Sequence, residues 1–160
     1  MGYYMSMRGS KIRIPASKHD QCLAAIKALA NTVADPFNSR NIFSDHYSWV
    51  RTHEFAGATT LREALAAWRW VDPDCVGLNK MARVAFKPRD IEDLRFTGEK
   101  LGDDEVLMHA IAPYVEAGSY IEMVGEDTDH WRWYFNGEGC VQQAGQVVYN
   151  EEASGSKHSP

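Results

Sequence analysis

The chain has 160 residues, of which 44% are hydrophobic and 24% charged, and its formal net charge is −5. This length suits one domain, and the composition is that of a globular protein rather than a disordered or fibrous one. No apolar run reaches the ~18 residues that a membrane span requires, so we expect no membrane association.

The charge is distributed unevenly along the chain. Residues 1–97 contain 14 Lys and Arg against 10 Asp and Glu, whereas residues 98–160 contain 3 against 12. Because no basic stripe is present, we expect no direct sequence-specific binding of nucleic acid. The acidic half is either a solvated surface that keeps the protein soluble or a surface that faces a basic partner.

Three cysteines, Cys22, Cys75 and Cys140, lie far apart and form no Cys-x-x-Cys pair. The N-terminus lacks the basic start and apolar core of a secretion signal, so we expect a cytoplasmic protein. In that setting we expect the cysteines to be reduced thiols in the core or near the surface.

The predicted elements rest on period-two alternation for strands and on three-to-four spacing for helices. In chain order they begin with strands at 3–8 and 11–14, with a Gly9-Ser10 turn or bulge between them, a helix at about 18–31 and a long connection at 31–57. A helix from Thr60 that Asp72-Pro73 terminates, strands at 81–86 and 91–96, and a helix from about Asp103 follow. The last predicted elements are strands at 120–124, 130–135, 140–143 and 146–149. Thr60 and Glu63 form a capping box. This order predicts one α+β domain over 1–150, with a mainly antiparallel sheet and helices packed on one face. Residues 151–160 contain no large apolar residue and are predicted to be a disordered tail.

The clearest pattern is the strand pair around the polar turn at 125–129. Two alternating sets of side chains follow on its second strand: Trp131, Trp133 and Phe135 in one, and His130, Arg132 and Tyr134 in the other. Successive side chains of a strand point to opposite faces, so we expect one apolar inward face and one polar face available to a partner.

The chain also contains five tryptophans. Most are expected in the core, but Trp68 and Trp70 are roughly 200° apart around a helix and cannot share one face. If the helix from Thr60 continued through Trp70, one of the two would face outward or cover a neighbouring loop. An exposed Trp beside Arg69 would be an interface anchor, because Trp and Arg dominate binding hot spots.

The sequence contains no catalytic motif that we recognise. Glu126, Asp127, Asp129 and His130 crowd one turn, but their spacing is not that of a calcium loop. We therefore expect no catalytic residue, no bound metal and no cofactor.

The C-terminal half resembles small uncharacterised proteins of bacteriophages, mobile elements and bacterial genomes. The segments that carry the resemblance are FTGEKLGDD at 96–104, IAPYV at 111–115, GSYIEM at 118–123, GED at 125–127 and WRW at 131–133. The opening MGYY and the AAWRW at 66–70 are similar as well, whereas residues 71–93 depart from the pattern. No activity is established for these proteins, so the resemblance implies a genomic setting and assigns no functional residue.

These observations predict a non-enzymatic binding protein, with the resemblance favouring a phage inhibitor of a bacterial defence protein of the anti-CRISPR kind. Its partner would be a protein or ribonucleoprotein in the cytoplasm of the bacterial host. The residues predicted to make the contact are Trp70, Glu126, Asp127, Asp129, Arg132 and Tyr134.

Two other functions remain open. The first is a small-molecule or nucleotide-binding protein, or an unrecognised enzyme, with a pocket near the 31–57 connection in which Trp49, His46 and Arg51 stack on and neutralise a ligand. The second is a partner protein that forms a homodimer through an edge strand.

Overall fold

The structure is a computed structural model that describes residues 3–32, 52–75, 89–100 and 104–149. Its helices and strands are β1 (Met5–Lys11), α1 (His19–Thr32), α2 (Thr52–Ala56), α3 (Leu61–Ala67), β2 (Trp70–Val71), β3 (Arg95–Phe96), α4 (Asp104–Ile111), β4 (Tyr120–Gly125), β5 (His130–Phe135) and β6 (Cys140–Gly145). The predicted strand at 81–86, most of the 31–57 connection and the predicted tail at 151–160 lie outside the described residues.

Four strands form an antiparallel sheet in the order β1-β4-β5-β6, and β2 pairs with β3 in a separate two-stranded ribbon. The β4–β5 hairpin is the predicted one, with Tyr120 opposite Tyr134 and Val124 opposite His130. Helices α1 to α3 pack against one another, and α1 also contacts α4. The predicted α+β class, with helices beside a mainly antiparallel sheet, is therefore confirmed.

The N-terminal segment forms one strand with a bulge, which is one of the two connections, a turn or a bulge, that the sequence allowed between its two alternating runs. Its register with β4 shifts between Met7 and Gly9, so Arg8 is an extra residue on β1. A bulge keeps the strand in the sheet and bends it, which is why the chain does not turn here. Ile14, expected in the second strand, makes only an isolated bridge to Ile91.

The start of α3 follows the prediction from its cap. The Thr60 hydroxyl accepts a hydrogen bond from the Glu63 backbone N–H. The Glu63 carboxylate in turn accepts from the Thr59 backbone N–H at 3.1 Å, one residue before the partner of an ordinary capping box. The first of these hydrogen bonds satisfies a donor that a helix leaves free at its first turn, and the second holds the residue before the cap.

The end of α3 corrects the prediction that this helix runs to Asp72-Pro73. The helix stops at Ala67, and Arg69 has a positive φ of 69°, which reverses the chain. Trp70 therefore enters β2, where it pairs with Phe96. A left-handed residue cannot continue a right-handed helix, and this explains why the helical spacing fails here.

Trp70 is fully buried, so its expected role as an exposed anchor is wrong. Its ring lies 4.9 Å from the ring centroid of Phe96 and 6.2 Å from that of Trp133. The Trp70 Nε1–H donates at 2.9 Å to the carboxylate of Asp104, which is also fully buried. The first turn of α4 thus places a carboxylate in the core, where the indole N–H is one of its partners.

The C-terminal strand is also single, whereas strands at 140–143 and 146–149 were expected. Asn136 Oδ1 accepts from the backbone N–H groups of Glu138 and Gly139, at 2.9 and 2.8 Å, which fixes the predicted Asn136-Gly137 turn. β6 then runs to Gly145, and residues 146–149 are exposed and outside any strand. They extend past the start of β5 and therefore have no neighbour in this sheet.

The described thiols fit the expectation of reduced, structural cysteines. Cys22 and Cys140 are both buried and free. Burial raises the pKa of Cys22 to about 12 and that of Cys140 to about 11, so little reactive thiolate forms at neutral pH. None of the helices in the described ranges has the length and apolar character that crossing a membrane demands.

Candidate contact surface

The sheet has one face covered by the core and one face turned to solvent. Residues directly opposite one another in antiparallel strands share a face, so the register assigns each side chain. The solvent side, which we call the outer face, carries Lys11, Tyr120, Glu122, Val124, His130, Arg132, Tyr134, Val141 and Gln143. Each of these keeps part of its surface exposed, whereas Ile121, Met123 and Trp133 on the other side are buried.

Arg132 lies at the centre of the outer face, between two tyrosines. Its guanidinium carbon is 5.4 Å from the ring centroids of both Tyr120 and Tyr134. Its Nε donates at 2.5 Å to Gln143 Oε1 on β6. Two cation–π contacts and one hydrogen bond hold the guanidinium in one orientation, each contact contributing on the order of 0.5–1 kcal/mol.

The two terminal nitrogens of Arg132 remain open to a ligand. Among the described residues neither Nη atom has a hydrogen-bond or ion-pair partner. Glu122 is directly opposite on β4 but forms no ion pair with Arg132 within that part of the chain. A planar guanidinium with free donors is suited to bind a carboxylate through two parallel hydrogen bonds.

A groove of about 690 Å³ lies beside Arg132. Its lining includes the polar residues Arg8, Glu122, His130, Arg132 and Gln143, together with residues 144–148 and with Met123 and Trp131 of the opposite face. Gly145, opposite His130, has no side chain and so leaves room for the groove. The bulge supplies Arg8 as a second cation near its β1 side.

The predicted acidic residues lie at the turn between β4 and β5, at one end of the outer face. Glu126, Asp127 and Asp129 are all exposed. The Glu126 backbone N–H donates at 2.8 Å to the Tyr4 carbonyl, which ties the turn to the chain that leads into β1. The turn is therefore an ordered acidic feature.

A hydrogen bond between Tyr3 and Asp127 also holds this turn in place. The Tyr3 hydroxyl donates a hydrogen bond to Asp127 Oδ1. That bond raises the pKa of Tyr3 to about 12 and holds the pKa of Asp127 below its ordinary value. The Tyr3 ring also lies 6.4 Å from the ring centroid of Trp131. Asp127 thus stays ionised throughout the neutral range.

The structure brings five of the six predicted contact residues to one side and one end of the sheet. Arg132 and Tyr134 are on the outer face, and the three acidic residues are at its turn, whereas Trp70 is in the core. Sequence reasoning missed Tyr120, although it sits opposite Tyr134 once the hairpin is folded about its turn. It also missed Gln143, which no local pattern distinguishes from other polar strand residues.

The acidic half of the sequence does not become one acidic face. Asp104 is buried, and Glu116 pairs with Arg13. The turn at 126–129 and the turn that contains Glu138 lie at opposite ends of the antiparallel strands. In the described ranges, no group of three or more His, Cys, Asp or Glu side chains is arranged to hold a metal ion.

No protein-family model, curated protein or solved structure matches the chain. The resemblance to small phage and bacterial proteins therefore remains an expectation. The contact surface rests on the geometry of the outer face itself.

Proposed function

We propose that this protein is a non-enzymatic binding protein that contacts a macromolecular partner through the outer face, with Arg132 at the centre of the contact. The observation that carries the proposal is the fixed guanidinium between Tyr120 and Tyr134, whose terminal nitrogens have no partner among the described residues. Arg and Tyr are the residue types that most often dominate binding energy at interfaces.

The fixed orientation of the Arg132 side chain in the unbound protein also supports the proposed contact. A free arginine on a surface loses side-chain freedom when it binds, at a cost of about 0.5–1.5 kcal/mol. Arg132 is already held by two rings and by Gln143, so much of that cost is met in the unbound protein. We expect its ligand to be an Asp or Glu carboxylate presented by the partner.

The acidic turn adds a second, complementary contact. Glu126, Asp127 and Asp129 are exposed at one end of the same face. Such rim charges mainly raise the rate of encounter with a partner that carries basic groups nearby, and salt weakens their effect. The partner would therefore present a carboxylate flanked by basic residues.

For the identity of the partner we keep the expectation drawn from the resemblance. The partner would be a protein or ribonucleoprotein of a bacterial host. The chain would act as an anti-CRISPR-like inhibitor in the cytoplasm. What supports this is the combination of small size, an open polar sheet face and the resemblance of residues 94–136 to phage and mobile-element proteins.

The test is an affinity capture from bacterial lysate with the full chain as bait, followed by affinity measurement on the partner recovered. Arg132→Ala should weaken binding at least ~30-fold, the effect of a hot-spot residue of ~2 kcal/mol. Arg132→Lys should lose most of the affinity too, because an ammonium keeps the charge but not the planar fork.

The matched control is Arg95→Ala, since Arg95 is an exposed arginine on β3 whose side chain is 64% accessible. We expect it to leave affinity unchanged within about twofold, as surface substitutions away from a contact usually do. Recovery of no specific partner, or equal affinities for Arg132→Ala and Arg95→Ala, would refute the proposal.

A nucleotide-binding function is the second candidate, and the groove beside Arg8 and Arg132 is the observation in its favour. The residues first expected to form such a pocket, His46, Trp49 and Arg51, lie outside the described residues. Thermal-shift screening against nucleotides separates the two functions. A saturable stabilisation that Arg132→Ala abolishes would favour the nucleotide.

A further inference from the structure

The edge of the sheet at β6 has no pairing strand among the described residues. The Asn136 N–H donates to the Gly139 carbonyl at 3.1 Å, which makes these two residues a hydrogen-bonded pair of the hairpin. Antiparallel strands alternate such pairs, so the backbone groups of residues 140, 142 and 144 point away from β5. They form a row of donors and acceptors at the free edge.

The opposite edge of the sheet is covered. The Met5 backbone N–H donates at 3.0 Å to the Glu99 carbonyl, and the Ser10 hydroxyl donates at 2.9 Å to Asp93. Tyr4 also makes an antiparallel bridge to Lys100. Only the β6 edge is therefore available to another strand within the part of the chain that the structure describes.

The β6 edge lacks the usual protection against pairing. Soluble proteins place charged residues or proline on free edges, but residues 139–150 contain neither. The same segment holds four of the five exposed large hydrophobic residues in the described ranges, which are Val141, Val147, Val148 and Tyr149. Exposed apolar residues concentrated on one edge mark an interaction site.

We infer that this edge pairs with the same edge of a second copy of the chain, antiparallel and around a two-fold axis at Ala144. A symmetric dimer brings the same segment to itself, and an uncharged segment meets no repulsion there. Residues 146–148 would extend β6 and find the strand neighbour that they lack in one copy.

The register follows from two conditions. Residues whose backbone groups point outward, which are 140, 142 and 144 on β6, must face outward-pointing residues of the second copy. An axis at Ala144 meets this condition once residues 146–148 extend β6, because it sets Gln142 against Gln146 and Cys140 against Val148. It also sets Val141 against Val147 of the second copy. An axis at Gln142 would leave Val147 and Val148 beyond the paired run. The small side chain of Ala144 allows its two copies to sit directly opposite.

Sedimentation equilibrium of the full chain tests the inference, because the mass should rise with concentration from 18.0 kDa toward twice that value. Ala144→Lys and Ala144→Glu should each hold the protein at the monomer mass, since two like charges would meet at the axis. An equal mixture of the two variants should recover the dimer. Ala144 is exposed, so both variants should retain the circular dichroism of the parent.

The matched controls are Ala28→Lys and Ala28→Glu, because Ala28 is an exposed alanine on α1, away from the sheet edge. Both should dimerise as the parent does. A parent that stays at 18.0 kDa at every concentration would overturn the inference, and so would Ala144 variants that dimerise normally or a mixture that stays monomeric. Arg132→Ala should leave the dimer intact, so this result is independent of the proposed function.

Discussion

Replacing each of two buried tryptophans by phenylalanine tests whether the hydrogen bond in the core stabilises the fold. Trp70 and Trp133 are 0% and 2% exposed, so both substitutions remove buried ring area of the same kind. They differ in the indole N–H. That of Trp70 donates to Asp104, whereas that of Trp133 has no hydrogen-bond partner in the described residues.

The hydrogen bond that only Trp70 makes determines how much the two variants should differ in their free energy of unfolding. A hydrogen bond to a charged group contributes about 1.5–3 kcal/mol, and its loss leaves a buried carboxylate short of one donor. Removing the Trp133 N–H leaves no such deficit. Trp70→Phe should therefore lower the free energy of unfolding by about 1.5–3 kcal/mol more than Trp133→Phe does. For a chain of this size that corresponds to about 3–12 °C in Tm.

The assay is urea denaturation followed by far-ultraviolet circular dichroism, because tryptophan fluorescence changes with the substitutions themselves. Equal m-values for the two variants would show that the same surface is exposed on unfolding. If the two losses of stability were equal, or if Trp133→Phe were the more damaging, the hydrogen bond between Trp70 and Asp104 would contribute nothing net.

Two further predictions concern the cap of α3 and the acidic turn. Thr60→Ala should destabilise the fold by about 1 kcal/mol in the same urea assay, and Thr60→Ser by much less, because serine keeps the capping oxygen. A spectrophotometric titration at high pH should contain one tyrosine with a pKa of about 12, absent from Tyr3→Phe and shifted toward 10 in Asp127→Asn. Because folding raises the pKa of Tyr3, the contact between Tyr3 and Asp127 stabilises the protein fully below pH 10, and this stabilisation is lost as pH rises through about 12. Folding lowers the pKa of Asp127, so the contribution of Asp127 is lost as pH falls below its ordinary pKa of 3.8. Gly125→Ala should shift the tyrosine titration in the same way as Asp127→Asn, because a Cβ at position 125 would overlap the Tyr3 ring. An unchanged tyrosine titration in both variants would contradict the hydrogen bond between Tyr3 and Asp127.

The parts of the fold that were predictable are those whose signals lie within a few residues. The helical spacing after Ser17 predicts α1 to within a residue at each end, and the Thr60 cap starts α3. The alternation over 130–135 predicts the buried positions of Trp133 and Phe135 and the partly exposed positions of Arg132 and Tyr134. Trp131, which was expected to face inward, is only half-buried. Periodicity and caps are local, so the sequence states them directly.

The candidate site was predicted less completely because it depends on strands that meet only in the folded chain. Tyr120 and Gln143 reach Arg132 from the two neighbouring strands. The groove needs Arg8, which a bulge on β1 places beside residues more than a hundred positions later in the chain. No pattern within one segment contains that information.

By itself, the sequence determined the α+β class, the central hairpin and the polar side of β5, because hydrophobic alternation and turn residues act locally. Only the tertiary structure decided the position of Trp70, whose chain reverses at Arg69 and pairs with β3 about 25 residues away. It also decided which edge of the sheet is free, since β1 is covered by residues 93–100 and β6 by none of the described residues. Among the conformations that the local sequence allows, long-range strand pairing and burial in the core determine which one forms.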